Sequence, residues 1–276
     1  MAVAIVTDSA AALPPDVAAA HNIAVVPMWL TVDGASIQEG DMPIAALLAR
    51  ADVKTSGPAP GEFEAAVKEQ ARGTTEGVFV LTIASTMSST YEAAVVGARA
   101  AGGETRVLDT TTAAGAQALV VLAAAEAAEQ GLPLDAVEAA ARRAIAQVRL
   151  VATVPNLDHL VRSGRVPNIA GWAGRRLNIA PLFEFRDGGV RPLRPALGLP
   201  AARDRIISRW RRDRIPSARL HVVALHADAE ADAQWLLDQV QQEIEPATAL
   251  LGRFGTVMIA HTGPGLVGLA WRWEPT

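Results

Sequence analysis

The chain contains 276 residues, half of them apolar, so it can bury either one large core or two modest ones. It contains no cysteine, which excludes disulfides, thiolate metal sites and a cysteine nucleophile. Its formal net charge of −4 gives no general attraction to nucleic acid, and no apolar run approaches the roughly 18 residues needed to span a bilayer.

Strand and helix patterns alternate along the first 150 residues. The predicted strands cover residues 3–9, 24–34, 77–85 and 105–111. The predicted helices cover residues 11–23, 60–72, 88–101 and 113–130. This alternation predicts a mostly parallel sheet with helices on both faces, and such sheets bind ligands at the carboxyl ends of their strands.

The pattern changes near residue 150. Residues 150–165 predict a strand and a short helix that ends at Gly164, and residues 177–193 predict an antiparallel hairpin with its turn at 187–189. The remaining predictions are a helix over 199–212, a strand over 219–226, a helix over 229–243 and a terminal hairpin whose strands are 255–260 and 266–270. The sequence therefore predicts an α/β fold with two lobes, residues 1–150 and a smaller lobe with antiparallel strands at residues 151–276.

Short polar clusters follow several of the predicted strands. They contain Asp8 with Ser9, Thr55 with Ser56, the hydroxyl residues from Ser85 to Thr90, and Asp109 with the threonines at 110–112. Each cluster alone is typical of helix N-caps. Together at one edge of a sheet, their hydroxyls and the nearby helix N–H groups would suit an anion such as a carboxylate or a phosphate.

The stretch "AHTGPGLVGL" at residues 260–269 places a histidine next to a predicted turn. Gly263, Pro264 and Gly265 predict that turn between two strands. His261 would then lie at the end of a sheet and could point into a cleft. Taken alone, the motif is more typical of a hairpin with an incidental histidine.

Taken together, several stretches resemble one known family, the DegV proteins, which include the fatty-acid-binding subunits of bacterial fatty acid kinases. The resemblance covers essentially the whole chain and keeps the order and spacing of the family's motifs. The stretches that carry it are "IVTDSAAALP", "VVPMWLTVDG", "VKTSGPAPGEF", "IASTMSSTYEAA", "VLDTTTAAGA", "LDHLVRSGRV", "IAPLFEFRDGGV" and "AHTGPGLVGL".

This resemblance implies a two-lobed DegV-like fold that holds a long-chain fatty acid in a tunnel between the lobes. The ligand-binding residues that it implies are Thr55, Ser56, Ser85, Ser88, Thr90, Arg165, His261, Thr262 and Gly263. It further implies a lipid-binding carrier without catalytic residues, metal or cofactor. A separate fatty acid kinase is the implied partner, because no P-loop signature is present to bind ATP.

The chain departs from the family pattern at three places. Ser88-Ser89-Thr90 stands where relatives usually have Ser-Gly-Thr, and Ala84 replaces a serine. Leu197 falls where relatives tend to have the arginine of a Lys-Val-Arg run, although Arg194 could substitute for it. The first two departures could reshape the pocket, and the third could weaken coupling to a kinase.

Functions of other classes remain as alternatives. A hydrolase could use Ser88 and His261 with Asp8 or Asp109, although no Gly-x-Ser-x-Gly motif is present. The helix from Arg203 to Arg214 could dock a partner, or its arginines could form a solvated face. A metal site of His221, His226 and Asp228 is disfavoured, because strand spacing places the two histidines on opposite faces. We expect a cytoplasmic protein, since the chain does not start with a signal-peptide pattern.

Overall fold

The computed structural model describes residues 2–50, 53–74, 76–166 and 179–275. Its strands, numbered in chain order, are β1 (Ala4–Asp8), β2 (Ile23–Val26), β3 (Trp29–Val32), β4 (Ala35–Gln38), β5 (Val53–Ser56), β6 (Val78–Thr82), β7 (Thr105–Asp109), β8 (Arg149–Thr153), β9 (Ile179–Arg186), β10 (Gly189–Leu197), β11 (Arg219–His226), β12 (Thr248–Arg253) and β13 (Val267–Glu274). Its helices are α1 (Pro15–Ala20), α2 (Ile44–Leu48), α3 (Pro60–Ala71), α4 (Thr90–Ala101), α5 (Ala114–Glu129), α6 (Leu134–Gln147), α7 (Asp158–Ser163), α8 (Gly198–Arg212), α9 (Glu230–Gln241) and α10 (Thr256–Thr262).

A parallel sheet forms in the first half of the chain, as predicted. Its strand order is β2-β1-β6-β7, and every pair in it is parallel. All five residues of β1 and of β6 are buried, which is typical of strands covered by helices on both faces.

A second sheet has six strands in the order β10-β9-β8-β13-β11-β12. Its pairs are antiparallel except for β11 with β12, so the prediction of antiparallel strands in the second half of the chain is confirmed. The predicted hairpin is β9 and β10, although its first two residues, 177 and 178, lie outside the described residues. Asp187 and Gly188 both adopt positive φ in the connecting turn, as a two-residue hairpin loop of type I′ requires.

A three-stranded antiparallel sheet, β4-β3-β5, was not predicted. The single strand expected over residues 24–34 is wrong, because this segment forms β2 in the parallel sheet and β3 in the small sheet. Pro27 lies between them, and a proline has no N–H to donate to a strand ladder. The small sheet carries Thr55, which pairs with Leu30 across β5 and β3.

The prediction of a terminal hairpin is also wrong for its first strand, residues 255–260. Residues 256–262 form α10, and only the segment after the turn is a strand. A short apolar run cannot be assigned to helix or strand from periodicity alone. Gly263 ends the helix with a φ of 76°, so His261 lies in the last turn of a helix rather than at the end of a sheet.

Helix α5 lies between the two larger sheets. Fourteen of its sixteen residues are buried, and it contacts β1 on one side and β11 and β13 on the other. A Cβ added at Gly115 would lie 2.9 Å from Cβ of Val223, so the helix packs closely on β11.

Helix α6 and strand β12 were not predicted.

Nowhere in the described ranges is a helix both long enough and apolar enough to cross a membrane.

Candidate functional site

The polar clusters after β1 and β7 mainly bind the backbone of neighbouring loops. Asp8 accepts hydrogen bonds from the N–H groups of Ala10 and Ile83 at 3.0 and 2.8 Å. Asp109 accepts from Ser85 and Thr111 at 3.1 and 2.7 Å. Burial raises the pKa of Asp8 to about 6, against the opposing effect of its hydrogen bonds. These two carboxylates therefore shape the loops at the sheet edge.

A cavity of about 330 Å³ is lined by residues of the six-stranded sheet and by the segments that follow β6 and β7 of the parallel sheet. Much of its wall is apolar and includes three methionines and three phenylalanines: Met28, Met87, Met258, Phe183, Phe185 and Phe254. The polar predicted residues on the wall are Thr55, Ser56, Ser88, Arg165, His261 and Thr262. Such a wall can hold a long apolar group with one polar end.

Thr55 and His261 meet at this wall. Oγ1 of Thr55 and Nε2 of His261 are 2.8 Å apart. Burial, with a smaller contribution from the charge of Arg165, lowers the pKa of His261 to about 4. The imidazole is therefore neutral near pH 7, and one of its two nitrogens is a donor while the other is an acceptor.

Ser88 forms a hydroxyl pair with Thr90 at the cavity. Its Oγ is 2.8 Å from Oγ1 of Thr90, which is fully buried behind it. A Cβ at Gly57 would lie 2.7 Å from Oγ1 of Thr90, so the loop after β5 approaches this pair closely and needs a glycine there. The loops that carry Thr55 and Ser88 thus lie against each other.

Three predicted residues lie behind the wall instead of on it. Ser85 is held through its N–H by Asp109, Thr90 is covered by Ser88, and Gly263 ends α10. Thr262 lines the cavity, but its hydroxyl donates to the Met258 carbonyl at 3.0 Å.

Arg165 is exposed at the edge of the cavity, after the end of α7. Its Nη1 donates to the Ser163 carbonyl at 2.7 Å, and its N–H donates to Ser163 Oγ at 3.2 Å. Arg165 lines the same cavity as His261, and its charge contributes to the lowered pKa of that histidine. A positive charge there can attract an anion into the cavity.

The three departures from the family pattern lie in different surroundings. Ser89 is the N-cap of α4 with a φ of −72°, so the backbone does not require glycine at this position. Ala84 is fully buried, and its N–H donates to the Thr112 carbonyl at 2.8 Å. Leu197 is 76% exposed at the end of β10.

The alternative hydrolase triad is not formed. His261 contacts Thr55 rather than Ser88, and Asp8 and Asp109 are engaged with loop N–H groups. The metal alternative also lacks support: His221 contacts Thr248 and Glu274, and none of the described His, Asp or Glu side chains form a group of three that could hold an ion.

The arginines of α8 are mostly engaged within the chain. Arg203 pairs with Asp232, Arg209 with Glu184, Arg211 with Glu243, and Arg205 donates to the Arg194 carbonyl. Arginines already paired in this way are poorly placed to bind a partner, which weakens the alternative of a docking helix.

The sequence did not single out Glu39 or Met28. Met28 lines the cavity, and Glu39 contacts the first turn of α10. A single glutamate after a short strand gives no local signal of a contact more than two hundred positions away.

Comparison with known proteins links the chain to one family. The family model described as "Uncharacterised protein, DegV family" matches residues 2–274. A DegV domain-containing protein of Streptomyces coelicolor is 33% identical over 273 residues, which cover 97% of each chain. A fatty acid-binding protein of Thermotoga maritima is 30% identical over 217 residues, which cover 78% of this chain and 75% of the relative. A solved structure of a fatty-acid-binding DegV family protein from Thermus thermophilus has a TM-score of 0.90 and 28% identity, covering 99% of this chain and 100% of that one.

Proposed function

Because the chain belongs to the DegV family, we propose that it binds a long-chain fatty acid in the cavity beside Thr55 and His261. The Thermotoga relative is named a fatty acid-binding protein, and the Thermus structure is described in the same terms. The observation in this chain that carries the proposal is the Thr55–His261 pair on the wall of a largely apolar cavity. A fatty acid combines one polar head group with a long apolar tail, which matches this wall.

The head group is proposed to bind at Thr55, Ser88, Arg165 and His261. A carboxylate that leaves water must receive hydrogen bonds, because an unpaired buried charge is very costly. When the neutral imidazole carries its hydrogen on Nε2, it donates to Thr55 Oγ1 and leaves the Thr55 hydroxyl hydrogen for the ligand. Arg165 adds a positive charge at the edge of the cavity.

The tail supplies most of the affinity in this proposal. Each buried methylene contributes about 0.8 kcal/mol. The cavity draws its apolar wall from residues before and after position 150, including Met28, Ile83, Phe183 and Leu225. We accordingly place the acyl chain between two lobes, residues 1–150 and 151–276.

The chain is proposed to act as a carrier that presents its ligand to a separate fatty acid kinase. The kinase would transfer a phosphoryl group from ATP to the bound carboxylate and form an acyl phosphate. Support for a carrier rather than a hydrolase comes from Ser88, whose hydroxyl contacts Thr90 and not an imidazole.

Native mass spectrometry of the purified protein tests the ligand directly. The expected result is a mass increase that corresponds to one free fatty acid, which is then identified after extraction. Recovery of a phospholipid or a nucleotide, or an empty protein that also fails to bind added fatty acid, would contradict the proposal.

A further inference from the structure

The N-terminus of α10 takes its capping group from a distant part of the chain. Its N-cap residue is Gly255, which has no side chain to accept a hydrogen bond. Oε1 of Glu39 accepts instead from the Val257 N–H at 2.9 Å, although the two residues are 218 positions apart. A Cβ at position 255 would collide with the Glu39 carboxylate, so the glycine makes room for this contact.

The other side of Glu39 is fixed to the start of the three-stranded sheet. Ser9 Oγ donates to Glu39 Oε2 and accepts from the Met28 N–H, the latter at 3.0 Å. The Glu39 N–H donates to the Met28 carbonyl at 2.9 Å. Met28 directly precedes β3. Glu39 is therefore bonded to the start of this sheet twice: its carboxylate through the side chain of Ser9, and its backbone N–H directly.

These contacts connect the two elements that carry the head-group pair. Thr55 in β5 pairs with Leu30 in β3. His261 lies four residues, about one helical turn, after Val257 in α10. Glu39 therefore lies between the sheet that carries Thr55 and the helix that carries His261. Glu39 is not itself one of the residues that line the cavity.

We propose that Glu39 is a positioning residue of the ligand site, which acts through α10 to hold His261 within hydrogen-bond distance of Thr55. This inference rests on the proposed fatty-acid function, because it assigns the pair to the head group. Loss of Glu39 should impair recognition of the carboxylate and leave the apolar wall able to bind a tail.

The test compares the affinity of delipidated protein for palmitic acid with its affinity for the uncharged methyl palmitate. Glu39→Ala should lower the ratio of the two affinities about tenfold, as expected for losing contacts of charged groups. Glu39→Gln keeps the size of the side chain and one carbonyl acceptor, so it should retain the ratio within about threefold. Gly255→Ala should act like Glu39→Ala, because the added methyl group displaces the carboxylate from α10.

Glu62→Ala is the matched control. The Glu62 carboxylate accepts from the Ala59 N–H at the start of α3 and from Trp29 Nε1 at 2.9 Å, so like Glu39 it is bonded to the small sheet, but its hydrogen bonds do not reach α10. This variant should keep the wild-type ratio. The NMR signals of the His261 ring should shift in Glu39→Ala and not in Glu62→Ala. A general loss of stability would lower both affinities together and would not change the ratio.

The positioning role is refuted if Glu39→Ala keeps the wild-type ratio, or if Glu62→Ala lowers it equally. With either of these two outcomes, the proposed function still holds if the wild-type protein binds palmitic acid more tightly than methyl palmitate. Wild-type protein that binds acid and ester equally overturns the head-group assignment, and the role of Glu39 with it.

Discussion

Nε2 of His261 lies 2.8 Å from Oγ1 of Thr55, although the two residues are 206 positions apart in the sequence. One is in the last turn of a short helix, and the other is in the edge strand β5 of a small sheet. The pair therefore exists only in the folded chain, and its chemistry depends on how these two elements pack.

The first prediction concerns the protonation of His261. Its pKa should be near 4 because it is buried and, secondly, because Arg165 is close. The unfolded chain protonates this histidine near pH 6.5, so His261 should reduce stability as the pH falls from about 6.5 to about 4, with no further change below that range. NMR titration of the imidazole measures the pKa, and Arg165→Gln should raise it.

The stability effect can be isolated by difference. His221 and His226 also have lowered pKa values, chiefly because they are buried. The pH dependence of the wild-type free energy of unfolding therefore contains contributions from several histidines. His261→Asn should lose less stability than wild type between pH 6.5 and 4. An imidazole that titrates near 6.5 in the folded protein would contradict the prediction.

The second prediction concerns the hydroxyls of Thr55 and Ser88. Thr55→Val and Ser88→Ala should each weaken fatty-acid binding by about 1 to 3 kcal/mol, because a buried carboxylate loses a donor. Thr55→Ser should bind nearly as well as wild type. Calorimetric titration with a fatty acid measures the change.

Thr31→Val is a suitable control, since Thr31 lies in β3 of the same small sheet and does not line the cavity. It should bind normally. Hydroxyls with a purely structural role would instead give lost stability with normal binding per folded molecule.

The fold class could be predicted from the sequence because buried parallel strands are short apolar runs, as in "VFVLT" of β6. The helical conformation of residues 256–262 could not be predicted, because the group that caps α10 is the side chain of Glu39, which is far away in the sequence. Two features that were not predicted do have local signals in the sequence. Pro27 indicates the break between β2 and β3, and the helical spacing of Leu134, Val137, Ala141 and Ala144 indicates α6.

The candidate site was named through the family resemblance, which gave residue types but no contacts. The structure brings Thr55, Ser88, Arg165 and His261 to one cavity. That Thr55 and His261 contact each other, and that Glu39 holds α10, follows from packing between segments far apart in the chain. No local pattern encodes such packing.

The third prediction concerns the size of the cavity. Val190 lines it from the edge strand β10 and is half-buried. Val190→Phe should fill part of the space and weaken binding of palmitate by about 1 to 3 kcal/mol, while octanoate should be much less affected. Val161→Phe, made at a residue that is 50% exposed on α7, is the control and should bind both acids normally. Equal losses for both acids would place the tail elsewhere.

The fourth prediction concerns the kinase partner. Leu197 is exposed at the end of β10 and can neither pair with a phosphate nor attract an acidic surface. We expect weak formation of acyl phosphate when the fatty-acid-loaded protein is mixed with ATP and a kinase subunit from the same organism. Leu197→Arg should increase this formation, while fatty-acid binding stays unchanged.

Arg194 provides the complementary measurement, because it is the nearby arginine that could replace the missing charge. Arg194→Ala should lower acyl phosphate formation further. Strong formation by wild type that survives Arg194→Ala and gains nothing from Leu197→Arg would refute the proposed weakness.

The position of α5 determines whether the two halves of the chain can fold separately. This helix belongs to the first half of the sequence, yet it covers β11 and β13 as well as β1. A fragment that ends at residue 148 would expose the face of α5 that packs on Val223, and the remaining fragment would expose the matching face of its sheet. Unfolding should therefore be a single cooperative transition, and neither half should be stable when expressed without the other.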